Sequence, residues 1–359
     1  MSSELQRLRS KVKEVFTSNS RFAFEKDLAT GTSGFGILFK ETDRSGTSRR
    51  FVVKRSVEED WDADIQNERA WLQKMQKVEH IVNLVTITDN PILPYNGQGG
   101  LSGVSIIMEY MENGTVRQFL DRVGSEPLPN RLLWAIFLCL TRACIGMAYP
   151  TPNPKDEDTA SPEIPLEGVV PLTLAHRDMH DGNLMFGGLD PKQQEHSLVP
   201  IVKLIDFDRA MLMPEQVSAP KDTDIVSYDG VLNLSQLRSP YGVRNTGIDQ
   251  NIIGAGIAMS RIITNSKSLP VHLCREQMRN STTYSYLDND LRLLIVRCLA
   301  VDPKNRPRLE ELLARLHGAI SARNQAYYAN IGAMADRERD ETLSKIVSNY
   351  IFNGDTAKV

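Results

Sequence analysis

What this chain of 359 residues lacks narrows its function before any motif is read. No Cys-x-x-Cys pair occurs: Cys139, Cys144, Cys274 and Cys298 stand apart, three of them in apolar helical patterns where a buried free thiol is the expected state. That usage fits a reducing compartment, so a cytoplasmic or nuclear location is expected. No apolar run approaches the length of a membrane span, and the opening stretch from Met1 to Arg9 has no apolar signal-peptide core. Neither sign of charge dominates: 42 Lys and Arg against 45 Asp and Glu leave −3, so nucleic acid and anionic membrane lack global electrostatic support as partners. Internal repeats are absent. There is no Gly-x-Ser-x-Gly, the elbow of serine hydrolases. His196 and His272 show no metal-ligand spacing, and ordinary core or surface roles are expected for them.

What is present reads as globular. Apolar residues make up 41% and charged ones 24%, and the length suffices for two lobes with their own cores. Leu5, Leu8, Val12, Val15 and Phe16 form a helical stripe, an N-terminal extension over 1–19. A Gly-rich turn at 31–36 precedes the β-type run Phe51-Val52-Val53-Lys54. Residues 61–77 read as a helix with Trp61, Ile65, Leu72 and Met75 inward, and 88–103 as a loop. Ser105 to Met108 is a strand leading into Glu109-Tyr110-Met111. Helical periods follow at 131–147, 250–263 and 308–316; the second is apolar nearly all round and belongs in the centre of a helical region. The proline-rich, acidic stretch 150–166 reads as a surface insertion. A polar tail begins near 319, with the run Glu338-Arg339-Asp340-Glu341 expected on an exposed face. Strands first and helices afterwards predict an α+β chain.

Two acidic motifs carry the chemistry. His176-Arg177-Asp178-Met179-His180-Asp181-Gly182-Asn183 has the H-R-D-x-x-x-x-N spacing, and Leu204-Ile205-Asp206-Phe207-Asp208 follows it. Upstream, Gly31-Thr32-Ser33-Gly34-Phe35-Gly36 offers a turn with little side-chain bulk, of the kind that lets amides approach phosphate oxygens. Lys54 ends an apolar run, and Glu68 lies fourteen residues on, within a helix.

In that order, these segments resemble the eukaryotic protein kinase superfamily over roughly residues 24–318, as a divergent, fungal-type kinase-like member. The resemblance implies a bilobal protein kinase-like domain over 20–318, with a small β-rich N-lobe at 20–110 and a larger helical C-lobe at 113–318, then a tail over 319–359. It implies ATP and Mg2+ as cofactors and a protein substrate phosphorylated on serine or threonine. Gly31, Gly34 and Gly36 would cover the phosphates. Lys54 would hold them with Glu68 as its partner, and the backbone of Glu109 and Met111 would meet adenine, with Met108 behind it. Asp178 would orient the attacking hydroxyl, and Asn183 and Asp206 would ligate magnesium. Asp249 resembles the residue that anchors the catalytic loop from a central helix, although Thr246 and Asp249 also suit a helix N-cap. Arg306, in Asp302-Pro303-Lys304-Asn305-Arg306-Pro307, resembles the partner of an A-P-E glutamate.

The departures are specific. His180 replaces the usual lysine two residues after Asp178, as a phosphate contact or as a brace of the loop. Asp208 stands where glycine is usual. No A-P-E follows, and 208–248 does not match an activation segment, although Ser218, Thr223, Ser227 and Tyr228 are candidate phosphorylation sites for Arg177 to read. His176-x-Asp178-x-His180-x-x-Asn183 with Ile205-Asp206-Phe207-Asp208 also resembles choline- and aminoglycoside-type small-molecule kinases. A catalytically weak pseudokinase scaffold is the other alternative. Nothing in the sequence bears on the oligomeric state.

Overall fold

Leu5, Val12 and Phe16 fall on one side of a helix, α1 (Ser3–Thr17), and are buried. The structure, a computed structural model, describes residues 3–30, 34–57, 62–93, 101, 103–150, 161, 163–214, 245–280 and 282–353. A 15-residue helix is marginal on its own, so tertiary packing must hold α1. Its partner is a four-stranded antiparallel sheet in the order β1 (Phe22–Thr30), β2 (Phe35–Thr42), β3 (Ser48–Arg55), β4 (Ser105–Glu109). Phe16 stacks on Phe39 at 4.5 Å between ring centroids and meets Phe22 edge-on at 5.2 Å, with Phe51 behind them. Arg9 fastens α1 to β1, reaching the Leu28 carbonyl at 3.2 Å and the Thr30 hydroxyl at 2.9 Å. Helix α2 (Asp62–Lys74) buries Ile65, Glu68, Trp71 and Leu72, an i, i+3, i+4 face; Trp61 lies outside the described residues.

The chain divides into two compact units, one comprising 1–76, 82–110 and 207–209, the other 77–81, 111–206 and 210–359. The first is the sheet with α1 and α2. The second is mostly helical: α3 (Val116–Val123), α4 (Asn130–Ala148), α5 (Thr246–Thr264), α6 (Val271–Arg279), α7 (Asn289–Cys298), α8 (Leu309–Ala322), α9 (Gln325–Tyr328) and α10 (Asp340–Ile346). It also holds two short two-stranded antiparallel sheets, β5 (Leu174–Ala175) with β8 (Met211–Leu212) and β6 (Leu184–Phe186) with β7 (Val202–Leu204). The class is therefore α+β, as the sequence order predicts.

Helix α4 is apolar nearly all round, with Arg131 and Arg142 on its one charged face, and packs against α5 and α8. By length and composition it is the one helix among the described residues able to cross a bilayer, contrary to the reading that no run approaches a span; 89% of that window is buried inside the unit, as in the core helix of a large domain.

Two surface expectations are corrected. Glu163, in the stretch read as a surface insertion, is buried and its carboxylate accepts from the His80 amide at 2.9 Å; residues 151–160, with the acidic run Asp156 to Asp158, lie outside the described residues. Glu338, expected on an exposed face, is fully buried, and its carboxylate accepts from the amides of Asn130 (2.6 Å) and Arg131 (3.1 Å). Pro129, at the N-cap of α4, has no side chain able to cap, so the tail supplies the acceptor that the helix start needs.

Phe16→Ala should lower unfolding free energy by about 3–5 kcal/mol, the usual effect of emptying a packed phenylalanine site. Urea denaturation of the variant measures it; a loss below about 1 kcal/mol would mean that α1 is peripheral to the first unit.

Candidate active site

In the first unit, strand alternation sets the stage. Phe51, Val53 and Arg55 are buried on one face of β3, which puts Lys54 on the other. Lys54 Nζ meets Glu68 Oε2 at 2.7 Å, and the Glu68 side chain is only 1% exposed. A carboxylate buried that deeply needs its cation: removing one partner of such a pair costs about 3–5 kcal/mol. Gly36 lies opposite Lys54 in the β2–β3 register. A Cβ on Gly34 would sit 2.2 Å from the Arg55 carbonyl oxygen, so only glycine lets the turn pass the end of β3. Gly31 lies outside the described residues. The Glu109 amide donates to the Asn83 carbonyl at 3.0 Å, and its carboxylate accepts from the Asn83 amide at 2.8 Å.

Asn67, which carries no motif in the sequence, extends from α2 and donates to the Asp208 carbonyl at 2.8 Å while its own oxygen accepts from Trp71 Nε1 at 3.0 Å. Phe207 is fully buried. Asp208 does not adopt a left-handed backbone, so it needs no glycine; the left-handed residue of this motif is Asp206, with φ of 69°.

In the second unit the two acidic motifs meet through a buried histidine. His176 Nε2 donates to the Ile205 carbonyl at 3.0 Å, and Nδ1 accepts from the Asp178 amide at 3.3 Å. Complete burial pushes this imidazole down to about 4, so it is neutral at physiological pH, as one donor and one acceptor require. Asn183 completes the arrangement. Its Nδ2 donates to the Asp178 carbonyl at 2.9 Å and lies 3.4 Å from Asp178 Oδ2, and its carbonyl accepts from the Ile205 amide at 3.0 Å. Asp178, Asn183 and the residue before Asp206 are thus tied together across 28 positions of sequence by four hydrogen bonds. With Nδ2 committed to Asp178, the Asn183 group left for a cation is its oxygen, which together with the Asp206 carboxylate suits a hard ion such as magnesium.

His180 caps the 3₁₀ turn Asp181–Asn183: its Nδ1 accepts from the Gly182 amide at 3.0 Å, and its Nε2 lies 3.8 Å from Asp178 Oδ2. That is the arrangement of a brace. Asp181 is buried beside it and paired with Arg117 at 3.0 Å. Arg177, like Asp206, has φ of 69°, and its guanidinium reaches Met211 Sδ at 2.9 Å. Positive φ at non-glycine residues concentrates at functional sites, where surrounding contacts hold the strain. Met111 is buried in this unit. The candidate phosphorylation sites Ser218, Thr223, Ser227 and Tyr228 lie outside the described residues.

The loop is anchored from α5 by a different residue from the one expected. Asn251 accepts from the His176 amide at 3.0 Å and donates to the Leu174 carbonyl at 2.8 Å. Asp249 instead lies 3.7 Å from Arg306, whose guanidinium also donates to the carbonyls of Ala300 and Val301 at 2.9 and 3.1 Å. The N-cap of α5 is Asn245, accepting from the Ile248 amide at 2.9 Å, rather than Thr246 or Asp249. No sequence signal singles out Asn251, because Gln250, a second buried amide, stands beside it on α5.

No protein-family model matches the chain, and no curated protein matches it.

Asn251→Leu, which keeps volume but leaves the His176 amide and Leu174 carbonyl unpaired, should destabilise by about 1–3 kcal/mol for each group. Equal stability of variant and wild type in chemical denaturation would remove Asn251 as the anchor. His180→Lys, which cannot accept from Gly182, should lose about 1 kcal/mol by the same measurement; a lysine that raises stability would argue against the brace.

Proposed function

We propose that the chain is an ATP-dependent phosphotransferase with a bilobal, protein kinase-like architecture, moving the γ-phosphoryl of magnesium-ATP to a hydroxyl, with protein serine or threonine as acceptor. The observation that carries this reading is the tie between Asp178, Asn183 and Ile205, the residue before Asp206, within the second unit. The buried Lys54–Glu68 pair of the first unit supports it independently.

In this reading Asp178 accepts the proton of the attacking hydroxyl. Its backbone is held on both sides, the amide by the His176 ring and the carbonyl by Asn183 Nδ2, which also lies 3.4 Å from its carboxylate. Lys54, fixed by Glu68, binds phosphate oxygens, and Gly34 and Gly36 add no side-chain bulk beside it. Asn183 and Asp206 hold magnesium, whose charge offsets that of the phosphates. There is little covalent work to do, so the protein contributes position and charge. His180 stays a brace of the turn.

The test is nucleotide binding followed by transfer. ATP should raise the melting temperature, and more so with magnesium. Asp206→Ala should abolish the magnesium increment, whereas Asp208→Gly should keep it. Asp178→Asn should leave ATP binding intact and slow transfer by about 10²-fold or more. Equal turnover of Asp178→Asn and wild type would remove Asp178 from its role, and no ATP response would overturn the reading. ATP binding without transfer would identify a pseudokinase scaffold, and transfer to aminoglycosides or choline but not to protein would identify a small-molecule kinase. His180→Lys should slow transfer without changing the shape of the pH–rate profile; a flattened profile with a rate kept or raised above neutral pH would give His180 the phosphate contact instead.

A further inference from the structure

Away from that site, and within the second unit alone, three ligating side chains converge in the core. His80 follows α2 in sequence, Cys139 sits mid-way along α4, and His196 ends a short 3₁₀ turn. All three are buried, and their ligating atoms lie within 4.8 Å of one another. The Nε2 atoms of His80 and His196 face each other at 3.2 Å. Two imidazole nitrogens bound to one tetrahedral zinc at about 2.0–2.1 Å stand about 3.3 Å apart.

The surroundings are those of a metal site. His80 Nδ1 is 2.5 Å from Glu163 Oε2, and the other oxygen of that carboxylate accepts from the His80 amide. A carboxylate behind an imidazole fixes its orientation and raises the basicity of the nitrogen that faces a metal. Cys139 Sγ accepts from the Val202 amide at 3.4 Å.

We propose that His80, Cys139 and His196 bind one zinc ion, with Glu163 orienting His80 and a water in the fourth position. Soft sulfur with two imidazoles selects zinc over magnesium or calcium. Binding releases the Cys139 thiol proton and the proton shared between the two Nε2 atoms to solvent. The ion would pin the residues between α2 and β4, the core helix α4 and the segment before β7, a structural role that needs neither ATP nor the Asp178 motif. No sequence spacing announces it, because the ligands lie 59 and 57 residues apart.

The full-length chain, expressed with zinc in the medium and dialysed, should carry about one zinc per chain by elemental analysis. His196→Gln and Cys139→Ser should lower this below about a tenth, whereas His272→Gln, at an exposed position, should not. Cobalt(II) exchanged into the wild type should give the intense visible bands of a tetrahedral site and a thiolate-to-cobalt charge-transfer band, a readout that stands even where a variant fails to fold. Wild type without bound metal, meaning that the three side chains share only a proton, overturns the site. So does a cobalt spectrum without the sulfur band, or a folded His196→Gln that retains its zinc.

Discussion

A single neutral imidazole underlies the arrangement of the candidate site. His176 is wholly buried and has one donor and one acceptor to place. It spends them on the backbone on either side of the chemistry, the Asp178 amide and the Ile205 carbonyl. Were it charged, Nδ1 would carry a proton and repel the amide it now accepts from. Burial, which keeps the ring neutral, is therefore also what joins the two acidic motifs. Asn251 holds the same histidine by its backbone from α5, so the geometry at Asp178 is referred back to one of the most deeply buried helices of the chain.

The same economy recurs where helices and loops leave backbone groups without local partners. Asn67, Asn245 and Asn251 each serve backbone groups beyond the reach of regular secondary structure. Glu338 does so for α4 across about two hundred residues of sequence. In a core with little water, such groups must be paired within the protein, and short amides and carboxylates do this without adding much volume. The left-handed residues Arg177 and Asp206 are held in the midst of these contacts, so their backbone strain is balanced by the hydrogen bonds of their neighbours.

Much of this was legible in the sequence. The stripe of α1, the inward face of α2, the apolar α4 and α5, and the order of strands before helices all follow from periodicity, because a buried face forces its own spacing on the chain. The spacing of Asp178 to Asn183 and of Lys54 to Glu68 named the groups that the structure pairs, since five residues across a tight turn, or a strand and the next helix, admit few arrangements. Buried polar partners were not legible. Periodicity marks which residues avoid water, but a polar side chain is buried only where another supplies its hydrogen bond, and that partner can lie anywhere in the chain. Tertiary structure alone decided that Glu163 and Glu338 go inside, that Asn251 rather than Asp249 holds the loop, and that His80, Cys139 and His196 meet, because each of these contacts joins segments whose separation in sequence carries no signal.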